Sequence, residues 1–357
     1  MTEVKVTDEL DVLVVGGGVA GLSAALTLAR ARRSVLVIDS GEPRNAPAAA
    51  AHGLLSRDGL PPLELLRAGR EEVVGYGGQI VADRAVSARR VTGGFAVETE
   101  RGRSFRARRL LVTTGLVDEL APVPGLRERW GRDVLHCPYC HGWEVRDRPI
   151  GVLGGSPASV HQALLFRQWS PEVTLFLHTG EDLAEEQWER LAARGITVVD
   201  GEVTGLVVVG DRLTGVRLAS GRKVAVEALA VAPRFVARGE LLSDLGLATV
   251  EHPLGVGEYV ASDASGLTDV PGVWVAGNVT DVMGGLAAAQ AAGTQSAAAI
   301  NADLVNADAD AAVARRRAAA TGGVFSAANE AAVCARVLGE RRHGLDSPPR
   351  SEGPARA

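Results

Sequence analysis

Residues 11–39 carry a glycine pattern that leaves few choices of fold. Asp11-Val-Leu-Val-Val15 is a short apolar run, Gly16-Gly17-Gly18-Val19-Ala20-Gly21 follows it, and an Ala/Leu-rich stretch continues to about Ala31. A second apolar run, Ser34 to Ile38, ends in Asp39. Short apolar runs bounded by turn residues read as buried parallel strands, so the segment predicts a βαβ unit with G-x-G-x-x-G at its turn and an acid closing the second strand. Each glycine has a physical task. Gly16 permits the tight turn, Gly18 lets backbone approach a pyrophosphate, and Gly21 lets helix and strand pack closely. The helix N-terminus then aims its positive end at the phosphates. Asp39 is placed to accept hydrogen bonds from a ribose hydroxyl. Strand, helix and acid in register make this a dinucleotide site.

The polar groups of Ser40, Arg44 and Asn45 lie just beyond Asp39 and are candidates for contacting the same cofactor, the alternative being a solvated loop. Residues 60–76 read as a helix, and 80–113 as strands and turns. The strand ending in Leu110-Leu-Val-Thr-Thr114-Gly115 suits a second backbone approach to the dinucleotide, through Thr114 and Gly115. His52 sits in a loop of small residues, and nothing in the sequence assigns it a role.

Chemistry enters at Leu135-His-Cys137-Pro-Tyr-Cys140-His-Gly-Trp-Glu144, which holds two of the three cysteines at C-x-x-C spacing. Such spacing lets two sulfurs meet across one helical turn and cycle between dithiol and disulfide. His136 and His141 flank the pair, and a neighbouring imidazole stabilises a thiolate. The competing reading is half a zinc site completed by the two histidines, but zinc sites usually take their second ligand pair from a separate segment. The remaining cysteine, Cys334, stands alone in a predicted helix, 327–338, where an Ala/Val setting favours a core position. Redox use is the preferred reading, and no metal is expected.

A second βαβ unit follows, with strands at Ile150–Leu153 and Val173–Leu177 and the turn Gly154-Gly-Ser-Pro-Ala-Ser159 between them. It copies the first in layout and not in chemistry. Ser156 stands at the pyrophosphate-approach position and Ser159 at the helix-packing position. His178-Thr-Gly-Glu181 stands where the ribose is read, and NADPH needs cationic groups there for its 2′-phosphate. No Arg or Lys is present, so this second site is expected to have decayed, the alternative being that it binds NADPH through other groups.

Beyond it, 182–194 reads as a helix, 196–231 as short strands, and Val-Trp-Val-Ala-Gly277-Asn278 as a strand followed by a polar residue. An Ala-rich helix is expected over 285–300, opening at Gly284-Gly285 with its dipole available to an electron-rich ring. The stretch from Ser347 to Pro354 reads as a disordered tail. A net charge of −5 without a basic stripe disfavours nucleic acid as a partner. No apolar run approaches the length of a membrane span, and Met1 to Asp11 lacks a signal-like apolar core, so the cytoplasm is the expected location.

With these residues in hand, the chain resembles the low-molecular-weight thioredoxin reductase family of flavoproteins over about residues 10–305. The resemblance rests on the glycine fingerprint with Asp39, Thr113-Thr114-Gly115, Cys137 to Cys140, the second βαβ unit and Pro271-Gly-Val-Trp-Val-Ala-Gly277. It implies an α/β fold with two Rossmann-like nucleotide-binding domains. Residues 1–120 plus 255–320 would form a discontinuous FAD-binding domain, 121–254 a degenerate NAD(P)H-binding-like domain carrying the C-x-x-C, and 321–357 a C-terminal helix and tail. FAD is the implied cofactor, with Gly277 and Asn278 at its last strand, and a homodimer the implied assembly.

Several positions depart from the family pattern. Asn278 replaces the usual acid after Gly277, His141 replaces the usual acid after the second cysteine, and the phosphate-gripping arginines are missing. In these respects the chain is similar to dithiol oxidases that close disulfides in natural products such as holomycin, gliotoxin and romidepsin without NADPH. That resemblance implies attack by a small-molecule dithiol on the Cys137–Cys140 disulfide, with Cys137 the exchange sulfur and Cys140 nearer the flavin. Molecular oxygen would be the final acceptor, giving hydrogen peroxide. His141 would be the general base and His136 a weaker candidate. The alternatives are an NADPH-dependent reductase of thioredoxin or a small disulfide, and a non-catalytic flavin or zinc protein that senses redox state.

Overall fold

The computed structural model describes residues 10–156, 158–180, 182–322 and 326–339. Glu181 and the expected tail at 347–354 lie outside the described residues. Two compact units divide the chain, Met1–Asn301 and Ala302–Ala357.

The first unit opens with β1 (Leu10–Val15), α1 (Val19–Arg30), β2 (Val35–Asp39), α2 (Pro62–Gly75) and β3 (Gln79–Ala82). Then come β4 (Ala85–Val91), β5 (Gly94–Thr99), β6 (Ser104–Val112) and β7 (Leu116–Glu119). Val12, Leu13 and Val14 are fully buried, as a strand covered on both faces requires. The sheet runs β3-β2-β1-β6-β5-β4, with β1 parallel to both β2 and β6. Its carboxyl edge therefore changes direction beside the Gly16 turn, which is where ligands bind in open α/β sheets.

The middle of the unit contains α3 (Leu126–Arg129), β8 (Val134–Leu135), α4 (Pro138–His141), β9 (Ile150–Leu153), α5 (Ser159–Phe166) and β10 (Val173–Phe176). It continues through α6 (Glu185–Ala193), β11 (Thr197–Val199), the antiparallel β12 (Val203–Val209), β13 (Arg212–Leu218) and β14 (Lys223–Val224), and β15 (Ala228–Ala230). A second parallel sheet, β11-β10-β9-β15-β8, forms from these strands. Phe166, Val152 and Leu175 pack one of its cores, and Phe176, Leu229 and Val216 another. The two parallel-sheet bodies expected from the sequence are both present.

The chain then returns through β16 (Arg234–Ala237), α7 (Glu240–Ser243), β17 (Thr249–Glu251), β18 (Gly257–Val260) and β19 (Val273–Val275). Strand β16 pairs antiparallel with β7, and Ala237, Leu242 and Val260 join the core of the first sheet. Strand β19 lies beside the second half of β6, through Val273↔Leu110 and Val275↔Val112.

After a short 3-10 turn over Gly277–Val279 comes α8 (Leu286–Gly322), which runs well past the expected end near residue 300. No glycine or proline interrupts residues 294–321, and alanine dominates them, so nothing stops helix propagation there. In the second unit, α9 (Ala327–Leu338) is capped by the Ser326 hydroxyl, which accepts the Asn329 N–H at 3.1 Å. Cys334 on α9 is exposed, which corrects its expected core position. The reason is that α9 exposes all its described side chains, so its Ala/Val composition is not matched by burial.

Close approach sets the placement of α8 inside the first unit. A Cβ on Gly293 would stand 2.1 Å from the Ala20 carbonyl oxygen, so the two helices meet backbone to backbone. Gly293→Val should force them apart and destabilise the protein by roughly 2–3 kcal/mol, as overpacking does. A lowered thermal midpoint in calorimetry checks this.

Candidate active site

The turn after β1 is built by contact with the end of β6. Gly16 has φ 108°, which a side chain would strain, and its carbonyl accepts the Thr113 hydroxyl at 2.8 Å. That hydroxyl also lies 3.1 Å from the Val15 carbonyl. At Gly21 a Cβ would fall 1.9 Å from the Gly16 carbonyl oxygen, so this glycine packs helix onto turn as expected and does not border the cavity.

The N-cap of α1 is Gly18, which offers no side chain to the first-turn N–H groups. Nothing lies within 4 Å of where its Cβ would be. That open space belongs to a cavity of about 850 Å³. The Asp39 carboxylate stands at its edge, accepting the Gly17 N–H at 3.1 Å and an Arg70 N–H at 2.5 Å. Ser40, Arg44, Asn45, Thr114 and Gly277 border the same space. Gly115 does not; its carbonyl accepts the Arg238 N–H at 2.9 Å.

Arg44 is committed on one side. Its Nε and one Nη donate to Asp118 at 2.8 and 2.6 Å, the forked geometry that makes such pairs strong. Its other Nη reaches Asn278 Oδ1 at 3.4 Å. The Asn278 amide donates to the carbonyls of Asp281 and Gly284, both at 2.8 Å. A carboxylate at 278 could donate to neither. The amide therefore shapes the turn that leads into α8, whose first residues also border the cavity.

The opposite wall carries the cysteines. Cys137 is the N-cap of α4 and is disulfide-bonded to Cys140, with Cα atoms 5.2 Å apart. Cys137 Sγ accepts the Cys140 N–H at 3.2 Å, a donor that stabilises negative charge on this sulfur. Both cysteines face the cavity, so redox pair and glycine turn share one space.

The two flanking histidines differ. His136 Nδ1 lies 3.1 Å from the Val231 carbonyl, and because a carbonyl only accepts, this nitrogen carries the proton. Its Nε2 has no hydrogen-bond partner among the described residues and is not fully buried, and the residue borders the cavity. Burial pushes His136 below the usual imidazole range, helped by the Arg44 cation and opposed by the Val231 carbonyl and Asp118. His141 is also pushed down by burial, with Glu144 opposing and His52 assisting. Both of its ring nitrogens are buried without a partner among the described residues. His136 thus presents the less enclosed nitrogen, while both histidines border the cavity. The sequence signal is weak here because the difference comes from Val231, 95 residues away.

His52, unassigned from sequence, borders the cavity, with Nδ1 3.1 Å from Asp58 and Nε2 3.5 Å from Glu144. Asp118, Arg70 and Gln162 were also missed. Each is an ordinary polar residue in its own element, and only the fold brings it to the cavity.

The second glycine turn is sealed by its serines. Ser159 Oγ takes the Ser156 N–H and donates to the Leu153 carbonyl, both at 3.3 Å. Ser156 Oγ accepts the Ala158 N–H at 3.2 Å. His178 Nδ1 accepts the Val203 N–H at 3.1 Å, and burial pushes this histidine below its usual range. The recess beside them is about 80 Å³, and no Arg or Lys lines it among the described residues.

A family model described as pyridine nucleotide-disulphide oxidoreductase matches residues 10–296. Thioredoxin reductase tcpT of Claviceps purpurea is 33% identical, with the match covering 82% of this chain and 96% of that one. Thioredoxin reductase sirT of Leptosphaeria maculans is 28% identical over 84% of this chain and 95% of its own. Among solved structures, that of HlmI aligns with a TM-score of 0.81 at 47% identity, covering 90% of this chain and 98% of that one. An oxidoreductase from Agrobacterium tumefaciens aligns at 0.78 and 36% identity, over 83% and 99%.

FAD fits the larger cavity: an uncapped helix end with open space above Gly18 for the pyrophosphate, and a carboxylate at the end of β2 for a ribose. Removing a charged hydrogen-bond partner costs about 1.5–3 kcal/mol, so Asp39→Ala should weaken FAD binding by roughly ten- to a hundredfold. Flavin absorbance relative to protein after dialysis, and titration of apoprotein with FAD, measure the loss.

Proposed function

Because the chain belongs to the pyridine nucleotide-disulphide oxidoreductase family, as a thioredoxin reductase-like flavoenzyme whose cofactor is FAD, we propose that it is a dithiol oxidase. It closes a disulfide in a small-molecule dithiol of the natural-product kind and passes the electrons to O2, giving hydrogen peroxide. What supports this reading most is the contrast between the two glycine turns. The first opens on a cavity of about 850 Å³ that reaches the disulfide, whereas the second opens on about 80 Å³ with its Ser156 and Ala158 N–H groups bonded to its own serines. Electrons then have a route in from thiols and no ready berth for NADPH. The oxygen acceptor follows from the resemblance to dithiol oxidases and the homodimer from the resemblance to the thioredoxin reductase family. No helix among the described residues is long and apolar enough to cross a membrane.

The cavity residues act in sequence. A substrate thiol gives its proton to His136 Nε2, and the thiolate attacks Cys137 Sγ. The Cys137–Cys140 bond breaks, leaving a substrate–Cys137 mixed disulfide and a Cys140 thiolate. His136 passes its proton to solvent and takes that of the second substrate thiol, whose thiolate attacks the substrate sulfur of the mixed disulfide. The cyclic disulfide leaves, and the Cys140 N–H stabilises the expelled Cys137 thiolate. Burial keeps both histidines neutral near pH 7, the form in which an imidazole can take a proton. Bound FAD supplies the two-electron acceptor that restores the disulfide. In this scheme the body built from both ends of the first unit holds FAD, and the stretch between them presents the cysteines.

An NADPH-dependent disulfide reductase is the second reading, favoured by the names of the thioredoxin reductase relatives. The two differ in stoichiometry. In air, with a small dithiol and no NADPH, the enzyme should form one peroxide for each disulfide, and Cys140→Ser should lower the rate at least about a hundredfold. Peroxide and thiol assays run on the same samples check both. Thiol oxidation that needs added NADP+, or none at all, would favour the reductase.

A further inference from the structure

Gln162 lies on α5, 93% of its surface covered, outside the cysteine motif and both glycine turns. Its amide Nε2 donates to two backbone carbonyls, His136 at 2.9 Å and Val231 at 3.3 Å. Val231 is also the residue whose carbonyl accepts the proton on His136 Nδ1. One side-chain amide thus holds the residue carrying the ring and the acceptor that orients the ring. The arrangement has a cost, because Gln162 Oε1 is buried without a partner among the described residues. Flipping the amide would not relieve it, since an oxygen would then face two carbonyl oxygens. An apolar side chain of similar size would avoid the orphaned oxygen, so packing alone does not explain a glutamine here.

We propose that Gln162 is the positioning residue of the proton acceptor. By fixing the His136 and Val231 carbonyls it commits the ring to the Nδ1–H tautomer and leaves the Nε2 lone pair facing the cavity beside Cys137. This rests on the reading of His136 as the base for substrate thiols: the S–H bond breaks, its electron pair stays on sulfur, and the proton goes to Nε2. Phe235 packs against the ring, edge to face with centroids 5.2 Å apart. The charged groups acting on this ring are Arg44 and Asp118, which bond to each other and not to it. Gln162 therefore acts through geometry and not through charge.

The test uses the flavin-loaded enzyme with 15N-labelled histidine and dithiothreitol as the probe dithiol. Gln162→Met keeps the length and removes both donors. Gln162→Glu keeps the shape and regains one donor only when protonated. In the parent protein the nitrogen spectrum should show His136 as a single Nδ1–H tautomer. In Gln162→Met it should show a mixture of tautomers, with unchanged flavin content and a rate of flavin reduction by dithiothreitol lower by roughly tenfold. Gln162→Glu should show the same disturbance, lessening as pH falls and the carboxyl regains its proton. If His136 keeps one tautomer in both variants, the proposal is wrong whatever the rate does. If the tautomers mix and the rate does not change, Gln162 positions the ring as proposed and it is the base role of His136 that fails.

Discussion

The interlock of the Gly16 turn with the end of β6 is the constraint from which the rest of the site follows. The Thr113 hydroxyl binds the Val15 and Gly16 carbonyls, and Gly21 approaches Gly16 so closely that no side chain could stand there. These contacts place the first turn of α1 at the carboxyl edge of the sheet with nothing of its own to cap it. A helix end with unsatisfied N–H groups needs water or a ligand, and an anion is the best partner for it. The same edge is met by β19 and the turn at Asn278, so α8 arrives there too. Binding energy for the cofactor is in this sense set by backbone geometry before any specific side chain contributes.

Two copies of one supersecondary unit then serve opposite ends. In the first, glycine at position 18 leaves the donors open. In the second, serines at 156 and 159 bond the Ser156 and Ala158 N–H groups internally, and on the proposed reading His178 stands where a 2′-phosphate would need cations. The change is small in residues and large in consequence, because a hydroxyl inside a helix-entry turn competes directly for the N–H groups that would hold phosphate. On the proposed reading, what remains of the second unit is a scaffold. It carries the C-x-x-C helix on β8 and supplies Val231, whose carbonyl bonds the His136 ring, and Gln162, whose amide bonds the His136 carbonyl.

How much of this could be read beforehand depended on whether the determinant was local. The glycine turn, Asp39, the cysteine pair and the serine substitutions are local patterns with a mechanism attached, and each occupies its expected place in the fold. The expected stop of α8 near residue 300 has no glycine or proline behind it, so the helix runs on. Ala/Val composition suggests burial for Cys334, while burial depends on a covering element that α9 does not have among the described residues. The roles of Asp118, Gln162 and His52 arise from chain segments far apart in sequence. So does the contrast between His136 and His141, which flank the cysteines almost symmetrically and differ only in what the fold brings to their nitrogens.

The central claim is that electrons enter from thiols and not from a nicotinamide. Its most direct test is the flavin absorbance under nitrogen, with NADPH added to one sample and a small dithiol to another. Bleaching by the dithiol alone, with the yellow colour restored by air, is the predicted result. Rapid bleaching by NADPH would contradict the claim and show that the sealed second turn opens to bind it.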